Sequence, residues 1–119
     1  KPEDAIDEVR EAYEFYPNQP VFLQILFSLY WESNAREKAF NCLVELLDKH
    51  HDTFQRAGFA NIYFIMDRPE DAYRWLEKAI EHRESLVPHY ATHPSLKKFQ
   101  SQPRFRELYK KINHPMYVD

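Results

Sequence analysis

One pentapeptide occurs twice in this chain, as Lys1-Pro2-Glu3-Asp4-Ala5 and, with a single change, as Arg68-Pro69-Glu70-Asp71-Ala72. A looser copy, Ala35-Arg36-Glu37-Lys38-Ala39, lies between them, so that Ala5, Ala39 and Ala72 are 34 and 33 residues apart. That is the period of a helix-turn-helix repeat. The pentapeptide itself reads as a helix start: Pro69 suits a first turn, where its missing N–H would have no partner, and Glu70 and Asp71 put negative charge at the positive end of the dipole. Ala72, Trp75, Leu76, Ala79 and Ile80 then follow at intervals of three and four, while Arg74, Glu77, Lys78 and Glu81 take the opposite side. A stripe of this kind is buried against another helix, and the chain reads as stacked helix pairs.

The copies share more than their starts. A small residue, an apolar one four later, a small one seven later and a proline twelve later occur as Ala5, Val9, Ala12 and Pro17. The third copy has Ala72, Leu76 and Ala79, and the middle one Ala39 and Leu43 with Leu46 in place of the last alanine. The helices between carry Leu23, Leu26, Phe27 and Tyr30, and then Arg56, Phe59, Ala60 and Tyr63. Over residues 1–84 these positions resemble the tetratricopeptide (TPR) family; Phe27 stands where that family has a small residue and Arg56 where it has Trp or Leu. The resemblance implies an all-α fold, a TPR-like α-solenoid of antiparallel helix pairs with about two and a half repeats. The closing stretch, Pro94-Ser95-Leu96-Lys97-Lys98-Phe99 and Gln102-Pro103-Arg104-Phe105-Arg106-Glu107-Leu108, resembles the ending of many bacterial TPR domains, which often lie behind a winged-helix or other regulator module or a nucleotide cyclase. Phe105, Leu108, Tyr109 and Ile112 form an amphipathic segment suited to cap the last repeat.

Helices are expected at 3–16, 20–33, 36–50, 53–66 and 69–83, with a final one near 103–112 and no strand. The helix opened by Pro20 is apolar nearly all round, from Val21 to Trp31, and is expected to be the most buried element. Ala39, Phe40, Leu43, Leu46 and Leu47 should face inward on the next helix, Asp52 should cap the fourth, and Ala72 should be buried against Ala60. From Ser85 on, Pro88, Pro94 and Pro103 interrupt helical continuity and mark an irregular tail. The 119 residues, 44% of them apolar with a single glycine, Gly58, are read as one domain, 1–119. Because the first copy starts at what should be a second helix, the chain is expected to be a fragment of a longer one.

A net charge of −3 leaves no electrostatic footprint for nucleic acid. The longest apolar run, Val21 to Tyr30, is broken by Gln24 and Ser28 and is too short to span a bilayer. Cys42 stands alone, so no internal disulfide marks an oxidising compartment, and a cytoplasmic protein is expected. Of the six histidines, His50, His51, His82, His89, His93 and His114, only His89 and His93 have the spacing of two metal ligands on one helical face. Pro88 and Pro94 bracket that pair, and no cysteine or carboxylate cluster completes a set, so the histidines read as solvated surface residues and no metal or cofactor is expected. Cys42 reads as a buried small hydrophobe and Glu70 and Asp71 as a helix start; the chain is not read as an enzyme.

The resemblance to the TPR family implies instead a protein-interaction module. The first helices of successive repeats line a concave groove in that family, and by register with Tyr30 and Tyr63 the groove residues here would be Val21, Gln24, Ser28 and Trp31, then Phe54, Ala57, Asn61 and Phe64. The expected partner is a protein or peptide segment, or a second copy packed on the N-terminal edge at Ile6, Val9, Tyr13, Phe22 or Trp31. The alternative is a spacer or sensory module within a bacterial transcriptional regulator or signalling protein.

Overall fold

The computed structural model of the chain describes residues 1–118, the side chain of Pro2 excepted. All regular structure among these residues is helical: α1 (Pro2–Phe15), α2 (Val21–Glu32), α3 (Arg36–Lys49), α4 (Arg56–Ile65), α5 (Pro69–Glu81), α6 (Val87–Tyr90), α7 (Lys97–Gln100) and α8 (Pro103–Lys111), with a 3-10 turn at Pro94–Leu96. None of these helices is long and apolar enough to cross a membrane. The chain divides into two compact units, Lys1–Phe54 and Gln55–Asp119, a division that the repeat pattern does not announce.

Four helices stop in the same way, and none of them uses glycine to do it. Asn34, Asp67, Arg83 and Asn113 adopt φ of 62, 59, 52 and 59°, just past the ends of α2, α4, α5 and α8. In each case the next N–H reaches back to the last turn: Ala35 to Tyr30, Arg68 to Tyr63, Glu84 to Ala79 and His114 to Tyr109, at 2.8 to 3.1 Å. This is the Schellman arrangement, which satisfies carbonyls that the helix end would otherwise leave bare. Asn and Asp tolerate the left-handed conformation because their short side chains bond locally; Arg83 has no such help.

In the first unit α2 packs between α1 and α3. Leu23, Leu26, Phe27 and Tyr30 of α2 and Ala39, Cys42, Leu43 and Leu46 of α3 are buried. The expected burial of α2 all round does not hold, since Val21 and Ile25 are exposed. Its two neighbours cover only the side carrying Leu23 to Tyr30. On α3, Phe40 is exposed and Leu47 only half-buried, because they flank rather than face the α2 seam. Tyr13 ties α1 to α3. Its hydroxyl donates to Glu45 Oε2 at 2.5 Å and lies 2.9 Å from Nε2 of the buried His50. With the one hydroxyl proton given to the carboxylate, His50 is left to donate through Nε2. His50 is thus an internal hydrogen-bonding group, not the solvated histidine expected of it.

The second unit is built on α4, the most buried of the long helices: Ala57 to Ile62 and Phe64 are all buried. It packs on α5, where Ala72 and Ala79 are fully buried in one cluster with Ala57 and Ala60. Helix α4 begins at Arg56 rather than under an Asp52 cap. Its cap comes from beyond α5: Glu84 accepts from Ala57 N at 3.0 Å and from Arg56 at 2.9 Å, setting a carboxylate at the positive end of the helix dipole. Gln55 reciprocates, accepting from Leu86 N and donating to Ser85, both at 3.0 Å. The prolines after Ser85 begin short helices rather than ending order, since Pro88, Pro94 and Pro103 each sit in a first turn.

The segment they punctuate folds back on the second unit. Phe99, Phe105, Leu108, Tyr109 and Tyr117 join the α4–α5 core, with Ile112 packed partly against it. Buried tyrosines anchor it, Tyr109 donating to Val87 O at 2.8 Å and Tyr117 to Ala91 O at 2.6 Å. Arg104 fastens α8 to α5 by stacking over Tyr73, 4.4 Å from the ring centre, and bonding Glu77 at 3.0 Å. Phe105, Leu108 and Tyr109 of the segment expected to cap the last repeat are buried against the α4–α5 pair of this unit.

Candidate binding face

The eight expected groove positions meet two different fates. Val21 is 46% exposed, and Gln24, Ser28 and Trp31 are half-buried along the same side of α2. Ile25, one turn after Val21 and 40% exposed, belongs to this face although sequence register did not select it; the i, i+4 spacing from Val21 is the signal that finds it. Trp31 closes one end. Its ring stacks on Phe27 with centroids 5.7 Å apart, and the Arg36 guanidinium carbon stands 3.7 Å from the ring centre. A charged group over the face of a tryptophan in this way fixes both side chains.

The remaining four positions are not open. Phe54 is buried in the first unit, and Ala57, Asn61 and Phe64 are buried in the second. Asn61 Oδ1 accepts from the Ser95 hydroxyl at 3.1 Å. Phe64 packs among Tyr73, Phe99 and Phe105, with ring centres 5.0, 4.7 and 5.8 Å away. The face of α4 that register assigns to a partner is therefore occupied by the chain's own C-terminal segment. Burying Phe64 and pairing the Asn61 amide together make that cover favourable, since a buried amide without a partner is costly.

A second concavity lies in the first unit, a cleft of about 350 Å3 lined by Arg10, Tyr13, Tyr30, Lys38, Cys42 and Glu45 among others. It does not activate its thiol. Burial and then the Glu45 charge push Cys42 up to about 11, with Arg10 opposing them weakly. The folded state holds this proton more tightly than the unfolded chain, so the thiol's contribution to stability is full below its ordinary 9.0 and lost as pH rises towards 11. A thiol-specific reagent at pH 8 is accordingly expected to label Cys42 far more slowly in the folded chain than in guanidinium, with the folded rate climbing steeply above pH 9. Equal rates in both states at pH 8 would show the thiol to be open and ionisable.

The histidine pair is similarly engaged. His93 Nδ1 lies 2.7 Å from the Ser95 hydroxyl and 3.2 Å from Ser95 N, so that nitrogen is engaged within its own turn. Burial, and then neighbouring His89, lower the His93 pKa. Among the described residues no three His, Cys, Asp or Glu side chains gather as a metal site. Comparison with protein families, curated proteins and solved structures finds no match for this chain.

Proposed function

We propose that this chain is a TPR-like interaction module that binds a protein segment along the open side of α2, in the first unit. The observation that carries this reading is the exposure of Val21 and Ile25 on an otherwise apolar helix, with Gln24 and Ser28 beside them and the Trp31–Arg36 stack at one end. Covering large aliphatic side chains releases about 1.5 to 3 kcal/mol for each one fully buried, enough for a few of them to anchor a short segment. The amide and hydroxyl supply direction, as polar groups beside an apolar seat do in peptide recognition. In the second unit the α4 face is closed by the chain's own C-terminal segment.

Peptides selected from a displayed random library on the immobilised full chain provide the test. Their affinity should fall by about tenfold or more on Val21→Glu or Ile25→Glu, the loss expected when an anchor is removed. Phe40→Glu on α3 should leave it unchanged. Equal effects at all three positions, or selected peptides indifferent to Val21 and Ile25, would remove α2 as the binding face. A library that yields no binder would favour a spacer role instead.

A further inference from the structure

We propose that the chain associates head to tail with a second copy of itself, the acidic stripe of α1 in one copy receiving the basic strip around α8 of the next. The proposal uses residues other than the α2 face and stands apart from the reading given above. It begins from charge. Of 19 acidic and 16 basic side chains, the first unit carries 11 and 5 and the second 8 and 11, an opposition that the net charge of −3 conceals.

Each unit also has exposed apolar side chains beside these charges. On α1, Asp4, Glu8, Glu11 and Phe15 recur at intervals of four and three, so they form one exposed stripe that ends in Phe15, 75% exposed, with exposed Tyr16 next to it. On α8, Arg106 and Lys110 lie one turn apart on the exposed side, and Glu107 is the helix's single acid. Arg106 lies over the ring of Tyr117 at 5.2 Å, while Met116 and Val118, which flank Tyr117, remain exposed, Met116 at 65%. One surface is acidic and tipped with aromatics; the other is basic and tipped with aliphatics. A symmetric dimer through either would set like charges against each other, whereas a heterologous contact pairs opposite charges and covers both apolar tips.

Sedimentation of the full chain and two surface variants tests this. Wild type should gain mass with concentration and lose it as salt is raised. Glu11→Gln with Phe15→Ser should be monomeric, as should Lys110→Gln with Met116→Ser, while an equimolar mixture should form a one-to-one complex, because each variant keeps the surface that the other has lost. A mixture that stays monomeric, a wild type that is monomeric throughout, or a variant that self-associates as wild type does would each overturn the proposal. Val21→Glu should leave the mass unchanged, so this result and that of the α2 face can fail separately.

Discussion

Phe64→Ala is expected to destabilise the chain by about 3 to 5 kcal/mol, the usual cost of emptying a packed phenylalanine site. Three aromatic rings, Tyr73, Phe99 and Phe105, approach it from α5, α7 and α8, so truncation opens a cavity at the point where the C-terminal segment is held. Phe105 in turn packs on Tyr109 and Tyr117, which are hydrogen-bonded to Val87 O and Ala91 O, so its ring is not free to collapse into the space. Denaturant unfolding should show the loss as a lower midpoint. Proteolysis should cut first around Ser101, between α7 and α8. Phe40→Ala removes the same ring from an exposed position and should shift stability by no more than about 0.5 kcal/mol. Similar midpoints for the two variants would mean that the segment does not rest on Phe64.

Ala72→Leu tests the other contact on which the second unit depends. Ala72 has no exposed surface and shares its cluster with Ala57, Ala60 and Ala79, so small side chains line both sides of the α4–α5 packing. Three further carbon atoms must displace a helix or force strained rotamers, a cost of about 1 to 3 kcal/mol. Thermal melting of Ala72→Leu beside Ala72→Ser separates overpacking from mere substitution: the serine variant should melt above the leucine one. A leucine variant that melts like wild type would mean the helices do not meet closely there.

The helices that the repeat phase located are those whose starts and stripes are written locally. Pro69, Glu70 and Asp71 place the start of α5, and Pro103 that of α8, where the structure has them. What escaped was decided by packing. Asp52 is a good capping residue in isolation, but Glu84, 27 residues beyond Ala57, takes that role across the fold. Helices as short as α6 and α7 are too brief for any periodicity, so their prolines read as breaks. Tyr13 reads as part of an apolar N-terminal edge because periodicity sees its ring and not its hydroxyl, which reaches Glu45 on α3. For the candidate face, register found Val21, Gln24, Ser28 and Trp31 on α2, but Ala57, Asn61 and Phe64 carry no mark that a segment some 30 residues later will cover them. The charge opposition between the units shows only once the structure places their division after Phe54, because averaging over the whole chain hides it.

The left-handed stops after α2 and α4 bear on how the chain finds its fold. Each reverses the backbone within a few residues and uses bonds only to the turn just completed, Ala35 to Tyr30 and Arg68 to Tyr63. Direction is thereby set before any distant residue has arrived. The α2–α3 and α4–α5 hairpins can each close at the small entropic cost of a short loop, whereas the Glu84 and Phe64 contacts must wait for longer ones. Low contact order within the hairpins and higher contact order in the C-terminal cover imply an order of events: paired helices early, and the covering of α4 late.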